Sequence, residues 1–241
     1  MTTGARAVAT VVLAVATFVS GTARAQDYTE ITPAPTASPV GLGPRVSAEP
    51  DVRFDAFVHR LLALPRLSFD DGARAATRVA SGTYPASGGV TFAGAGFSLG
   101  ATFSDHWLVP FFGADFSAAI GPSDRVLTSL DGSLADLRPW TARKLDVWLF
   151  GVGYRMKKRR WMFQAVFEPG VSAIWVNGAI ATGRDAVDVR TSAVSFAARV
   201  DFEVCRRFDP TNRGCLFFAP SVYEFGLLNG GSVGVRWEFG P

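Results

Sequence analysis

The 241-residue chain holds only two cysteines, two histidines and three methionines, and 19% of its residues are charged. Two cysteines can close one bridge at most, which excludes a disulfide scaffold. Low charge beside 30 aromatic residues excludes a chain disordered throughout. After the N-terminal segment no apolar run approaches the ~20 residues that a membrane-spanning helix needs. Net charge is +3, falling to +1 if Arg6 and Arg24 leave with the segment described next, so no basic excess points to nucleic acid. Gly94-x-Gly96-x-x-x-Gly100 has the wrong spacing for a dinucleotide loop, and no cofactor is expected.

Residues 1–25 read as an export signal. Arg6 supplies the positive start, residues 8–19 (VATVVLAVATFV) form an apolar core too short to span a bilayer, and Ala23-Arg24-Ala25 gives the small-x-small cleavage pattern. Residues 26–50, with five prolines among small and polar residues, read as an extended leader. In residues 51–65, Phe54, Phe57, Val58, Leu61 and Leu62 fall at helical spacing before Pro65, which predicts a short amphipathic helix. Residues 66–241 are assigned to one β domain.

From Gly88 onward, where 24 of the 30 aromatics lie, the period is two. Leu108, Phe112, Ala114, Phe116, Ala118 and Ile120 share one face, opposite Phe111, Gly113, Asp115 and Ser117. Trp148, Phe150, Val152, Tyr154 and Met156 oppose Gly151, Gly153 and Arg155. Trp161, Phe163, Ala165, Phe167, Val171 and Trp175 oppose Gln164, Glu168, Gly170 and Ser172. The rows Val194–Val204 and Val233–Phe239 repeat the pattern, and none of these five apolar faces carries a charge.

Such faces could point inward in a soluble sandwich or lipocalin-like barrel. Outward, they would meet lipid, where a mid-depth Arg or Lys costs ~2–4 kcal/mol. Polar faces crowded with small residues and mixed charges, aromatics near strand ends (Trp107, Trp161, Trp175, Trp237) and alternating short and long connections favour the second arrangement. The fold class is therefore all-β, an up-and-down antiparallel transmembrane β-barrel. Seven strands are visible, near 90–103, 107–120, 143–156, 160–176, 188–204, 215–226 and 231–239. Even strand number places an eighth within residues 66–84. Pro110 suits a strand start, whereas Pro169 and Pro220 should need bulges.

The C-terminal residues Ser232-Val233-Gly234-Val235-Arg236-Trp237-Glu238-Phe239 resemble the β-signal of Gram-negative outer-membrane proteins, carried here by Ser232, Gly234, Trp237 and Phe239. Gly240 and Pro241 follow where that family ends on the aromatic. Phe103-Ser104-Asp105-His106-Trp107 resembles a periplasmic turn of small OmpA/OmpX-like barrels. The resemblance implies eight strands, the bacterial outer membrane, contact with its lipid and lipopolysaccharide, and insertion by the barrel assembly machinery.

Cys205 and Cys215 bracket a turn and are expected to form a disulfide in an oxidising compartment. A metal pair lacks ligand-spaced partners in sequence. Asp115, Arg155, Glu168, Arg199, Asp201, Glu203, Arg236 and Glu238 fall on polar faces and are expected to pair inside the lumen. Ser104, Asp105 and His106 are adjacent and cannot converge as a triad. His59 and His106 both fall on the periplasmic side of this topology, and no catalytic residue is assigned. The expected role is structural or surface-interacting, through extracellular loops, above all residues 121–142. Alternatives are a lipid A-modifying barrel enzyme, a small pore and a soluble periplasmic binding barrel.

Overall fold

A computed structural model describes residues 48–69, 82–103, 106–120, 125–130, 133–182, 185–224 and 228–240. The segments expected as export signal and most of the leader lie outside these residues, as do Ser104 and Asp105. Among the described residues thirteen strands follow in order: β1 Ala48–Leu61, β2 Leu67–Phe69, β3 Gly82–Tyr84, β4 Ala86–Ser87, β5 Val90–Phe103, β6 Trp107–Ala119, β7 Val126–Leu130, β8 Ser133–Leu149, β9 Val152–Lys158, β10 Trp161–Thr182, β11 Asp185–Arg207, β12 Asn212–Tyr223 and β13 Gly230–Phe239.

Eight staves close an antiparallel barrel: β1, β5, β6, β8 continued by β9, β10, β11, β12 and β13, which pairs back to β1. One row of cross-strand partners leaves β12 at Tyr223 and passes Ala197, Gly170, Trp148, Gly113, Ser98, Arg53 and Glu238. It returns to β12 at Arg213, ten residues from its start. Eight staves with a shear of ten set a strand tilt of about 40° and a backbone radius of about 8 Å, a width that side chains fill.

The amphipathic helix expected over residues 51–65 is a correction. Residues 48–61 are stave β1, hydrogen-bonded along its length to β5 on one side and β13 on the other. Asp51, Arg53, Asp55, Phe57, His59 and Leu61 point inward, with Val52, Phe54, Ala56 and Val58 between them on the outer face. A period of two is thus present, and two free stave edges waiting for a partner outweigh the local helical spacing. The eighth stave is β1, and the described part of residues 66–84 contributes β2 and β3, outside the barrel wall.

Two phase slips re-aim predicted faces. Opposite Leu99–Gly100, β6 carries one extra residue, Phe111, so Phe111 and Phe112 both face outward and Leu108 turns into the lumen. Between β8 and β9 the chain breaks at Phe150, whose φ is 43°, and this puts Trp148 inside while Val152, Tyr154 and Met156 stay outside. The two slips touch: the amide of Gly151 donates to the Pro110 carbonyl at 2.9 Å. A Cβ on Gly151 would lie 2.6 Å from the Phe167 carbonyl oxygen, so glycine is required there. Pro169 faces this break, where its missing amide costs no ladder bond. Pro220 needs no bulge. The β11–β12 ladder skips Ala219 and Pro220 and resumes in the same register.

Above the barrel the pairing closes a second time. The upper part of β11 pairs with β2 and β2 with β3; residues 82–87 run from β3 into β4, which pairs with β7, and β7 pairs with β8. With the upper parts of β8 and β10 this makes a six-stave ring at the end of the barrel opposite the short turns. Much of the expected loop 121–142 is therefore strand.

Candidate functional site

Polarity inverts along the staves. Through the barrel the outer face is apolar: Phe54, Phe97, Phe116, Phe163, Phe167, Phe202 and Phe218 are all exposed. Between Phe163 and Ala173 on β10 this face rises about 25 Å at the stave tilt, the height of a hydrocarbon band. Below it Trp107 packs on Tyr154, with ring centroids 5.4 Å apart, and Phe208 stacks on Trp237 at the same distance. The outer face then changes from Leu145 to Arg143 on β8, from Trp175 to Asn177 on β10, and from Val194 through Ser192 to Arg190 on β11.

Inside, the order is reversed. At those levels the lumen passes from Asp146 and Lys144 to Ala142, from Ser172 to Ile174, and from Ser195 to Ala193. Leu67, Phe69, Val126, Leu137, Ile180 and Val189 then fill the ring as an apolar core. Barrel and ring are each closed sheets, but the first is solvated as a membrane protein is and the second as a water-soluble one.

The lumen below the ring is ionic. Among the described residues, eight buried carboxylates (Asp51, Asp55, Asp115, Asp146, Glu168, Asp201, Glu203, Glu238) face six buried cations (Arg53, Lys144, Arg155, Arg199, Arg213, Arg236). The Arg236 guanidinium donates to both Asp55 oxygens, at 2.5 and 2.6 Å, contacts Glu203 and lies 2.8 Å from Asp201. Arg199 reaches Asp115 at 2.5 Å, Glu168 at 2.8 Å and Asp201 at 3.2 Å, and lies 4.3 Å over the Trp148 ring. Arg155 donates to Asp51 at 2.8 Å and Gln164 at 3.0 Å. Gln164 in turn donates to Glu203 and Glu238. In a narrow interior such charges persist only when several partners satisfy each one.

All eight residues singled out on polar faces, Asp115, Arg155, Glu168, Arg199, Asp201, Glu203, Arg236 and Glu238, lie in this network. Sequence reasoning missed Asp51, Arg53 and Asp55, hidden by the helix assignment. It also missed Lys144, Asp146 and Arg213. Their signal was the alternation Asp51-x-Arg53-x-Asp55 and Lys144-x-Asp146-x-Trp148.

Between network and ring, His59 Nδ1 lies 2.7 Å from Ser232 Oγ and His59 Nε2 lies 3.3 Å from the Tyr223 hydroxyl, to which Lys144 donates at 3.1 Å. His59 therefore sits near the ring end of β1, not at the short-turn end where the sequence topology had placed it. The pair faces the lumen, with His59 2% and Ser232 8% exposed, so no acyl chain of a leaflet reaches it. His106 stays in the short turn, its ring 5.9 Å from Tyr154.

Cys205 and Cys215 are bonded across β11–β12. The fold brings Glu203 and Glu238 beside them, with ligand atoms of all four residues within 4.8 Å of one another, a proximity that spacing did not reveal. The sulfurs are joined, and Arg53, Arg236 and Gln164 occupy the carboxylates. In the C-terminal strand, Gly234 has a packing reason: a Cβ there would meet the Ala56 carbonyl at 2.3 Å and the Phe217 ring at 2.9 Å. Phe57 lies opposite both Gly94 and Gly234 and covers them from inside. Ser232 faces the lumen, and Trp237 and Phe239 face outward.

No family model matches the chain, and no curated protein matches it. Among solved structures it is similar to Neisserial surface protein A, at 11% identity over 79% of this chain and 96% of that one, with a TM-score of 0.41. The N-terminal β-barrel domain of Pseudomonas aeruginosa OprF is similar at 10% identity, over 80% of this chain and all of that one, with a TM-score of 0.38. Ail, the attachment invasion locus protein of Yersinia pestis, gives the same identity, coverage and score. At such identities and scores no function transfers. By its own stave count, shear and outward apolar band, the chain has the architecture of a small membrane-spanning β-barrel.

Proposed function

We propose that the protein is an integral barrel of the bacterial outer membrane that is closed to solutes and acts through its extracellular ring, as a structural or surface-interaction protein. The inversion of polarity at one level carries this reading: apolar outside and ionic inside below it, the opposite above. A lipocalin-like barrel would show rings packed inward and charges in water. The ion-paired lumen and the apolar ring core stand in series, which speaks against an open pore. The ring's outer face offers the contact surface, with Leu127 and Leu134 exposed among Thr83, Arg138, Asp188 and Arg190. Assembly by the barrel machinery, with Ser232, Gly234, Trp237 and Phe239 as its signal, and contact with lipopolysaccharide belong to the same proposal. The test combines outer-membrane fractionation, comparison of boiled and unboiled gel samples, and planar-bilayer recording. A heat-modifiable band in the outer-membrane fraction without channel steps is expected. Release into the soluble periplasm would overturn the membrane assignment, and stable open steps would overturn the closed lumen.

A further inference from the structure

At the short-turn end, two hairpins place cations side by side. Lys158 on β9, Trp161 on β10 and Arg206 on β11 are direct cross-strand partners, and all three are exposed on the outer face. The indole, 49% exposed, is thus flanked on one side by an ammonium and on the other by a guanidinium. Arg159 and Arg160 complete the turn beneath, and the two hairpins are tied by the Arg207 amide donating to the Arg160 carbonyl at 3.0 Å. The nearby carboxylate, Asp209, is engaged within its own turn, accepting from the Thr211 and Asn212 amides at 2.8 Å. Directly above the row, Met156, Phe163 and Val204 form an apolar track leading into the hydrocarbon band.

Cations flanking an indole at the foot of an apolar track fit an anionic headgroup whose acyl chains lie along that track. We propose that Lys158 and Arg206, either side of Trp161, form a binding site for the phosphodiester of an anionic glycerophospholipid in the inner leaflet. The site rests on the membrane reading above, because the short turns then face the periplasm, where the adjoining leaflet is phospholipid. An interfacial cation contributes about five-fold in affinity for anionic lipid, so the pair contributes about twenty-five-fold.

The test is native mass spectrometry of the full-length folded protein in detergent, titrated with phosphatidylglycerol or phosphatidylethanolamine of matched chains. Phosphatidylglycerol adducts should dominate, and the K158Q/R206Q double variant should lose the preference about twenty-five-fold. R138Q, at the ring end, should retain it. Soluble glycerophosphoglycerol, which lacks the chains, should not displace the lipid; displacement would mean a free-phosphodiester site and overturn the lipid assignment. Equal binding of both lipids, or a preference that survives K158Q/R206Q, would overturn the site while a heat-modifiable folded band leaves the barrel intact. A protein that never gives that band would overturn barrel and site together.

Discussion

Arg199 is the position at which an ion-paired lumen is most exposed to test. Its guanidinium lies within 3.2 Å of Asp115, Glu168 and Asp201 and rests on Trp148. Asp201 keeps Arg236 at 2.8 Å, and Asp115 keeps the Trp148 indole N–H at 2.8 Å. Among the described residues no other cation lies within 4.0 Å of Glu168. R199M retains an apolar stem against Trp148 but leaves a carboxylate buried without its partner, a loss of about 3–5 kcal/mol. E168Q in the same chain removes the orphaned charge, so the double variant should recover about 1–3 kcal/mol as a coupling energy. Urea unfolding of the protein folded into vesicles, followed by tryptophan fluorescence, gives both values. A loss below about 1 kcal/mol with no coupling would mean that bulk water already solvates these carboxylates, and the closed-lumen argument would fail. R199M alone should still not conduct, because the apolar ring core remains above it.

Replacing Cys205 and Cys215 with serine frees a ten-residue separation in the unfolded chain and should lower stability by roughly 2–3 kcal/mol, read by the same unfolding assay. G234V should block folding or shift the urea midpoint strongly, because Ala56 and Phe217 occupy the space of its side chain, whereas V233I on the lipid face should be neutral. In the ring, the hydrogen bond from Arg125 holds the Asp136 carboxyl below its ordinary value of 3.8. The Asp136 contribution to ring stability is therefore complete above that value and lost as pH falls through the lower, folded one. A carboxyl titration by NMR should place the midpoint below 3.8, and a midpoint at or above it would refute the pairing. Replacing residues 62–89 with a two-residue Asn-Gly turn between the partners Leu61 and Val90 removes β2, β3 and β4 and opens the ring; any current that follows should be cation-selective, since the eight described lumen carboxylates outnumber six cations, and a reversal potential in a salt gradient measures it.

Alternation by itself determined which residues of β10, β11 and β13 share the charge-free face, because a charge at mid-depth is costly enough to purge one face completely over many residues. That this face points outward needed the mixed charges opposite it and the closure of the barrel around them. The pairing of Cys205 with Cys215 was legible for a similar reason: a tight turn between two strands leaves little choice of partner. Short segments were not legible. In residues 51–62 the spacing of Phe54, Phe57, Val58, Leu61 and Leu62 satisfies a helix, and only the open edges of β5 and β13 make β1 a stave. The slips at Phe111 and Phe150 depend on the register of neighbouring staves, so no window of sequence contains them. The ring above the barrel needed the whole fold. Strands of two to five residues have too few hydrogen bonds to form alone, and β2, β3, β4 and β7 exist because β8 and β11, joined through β10, rise above the barrel and offer edges to β7 and β2.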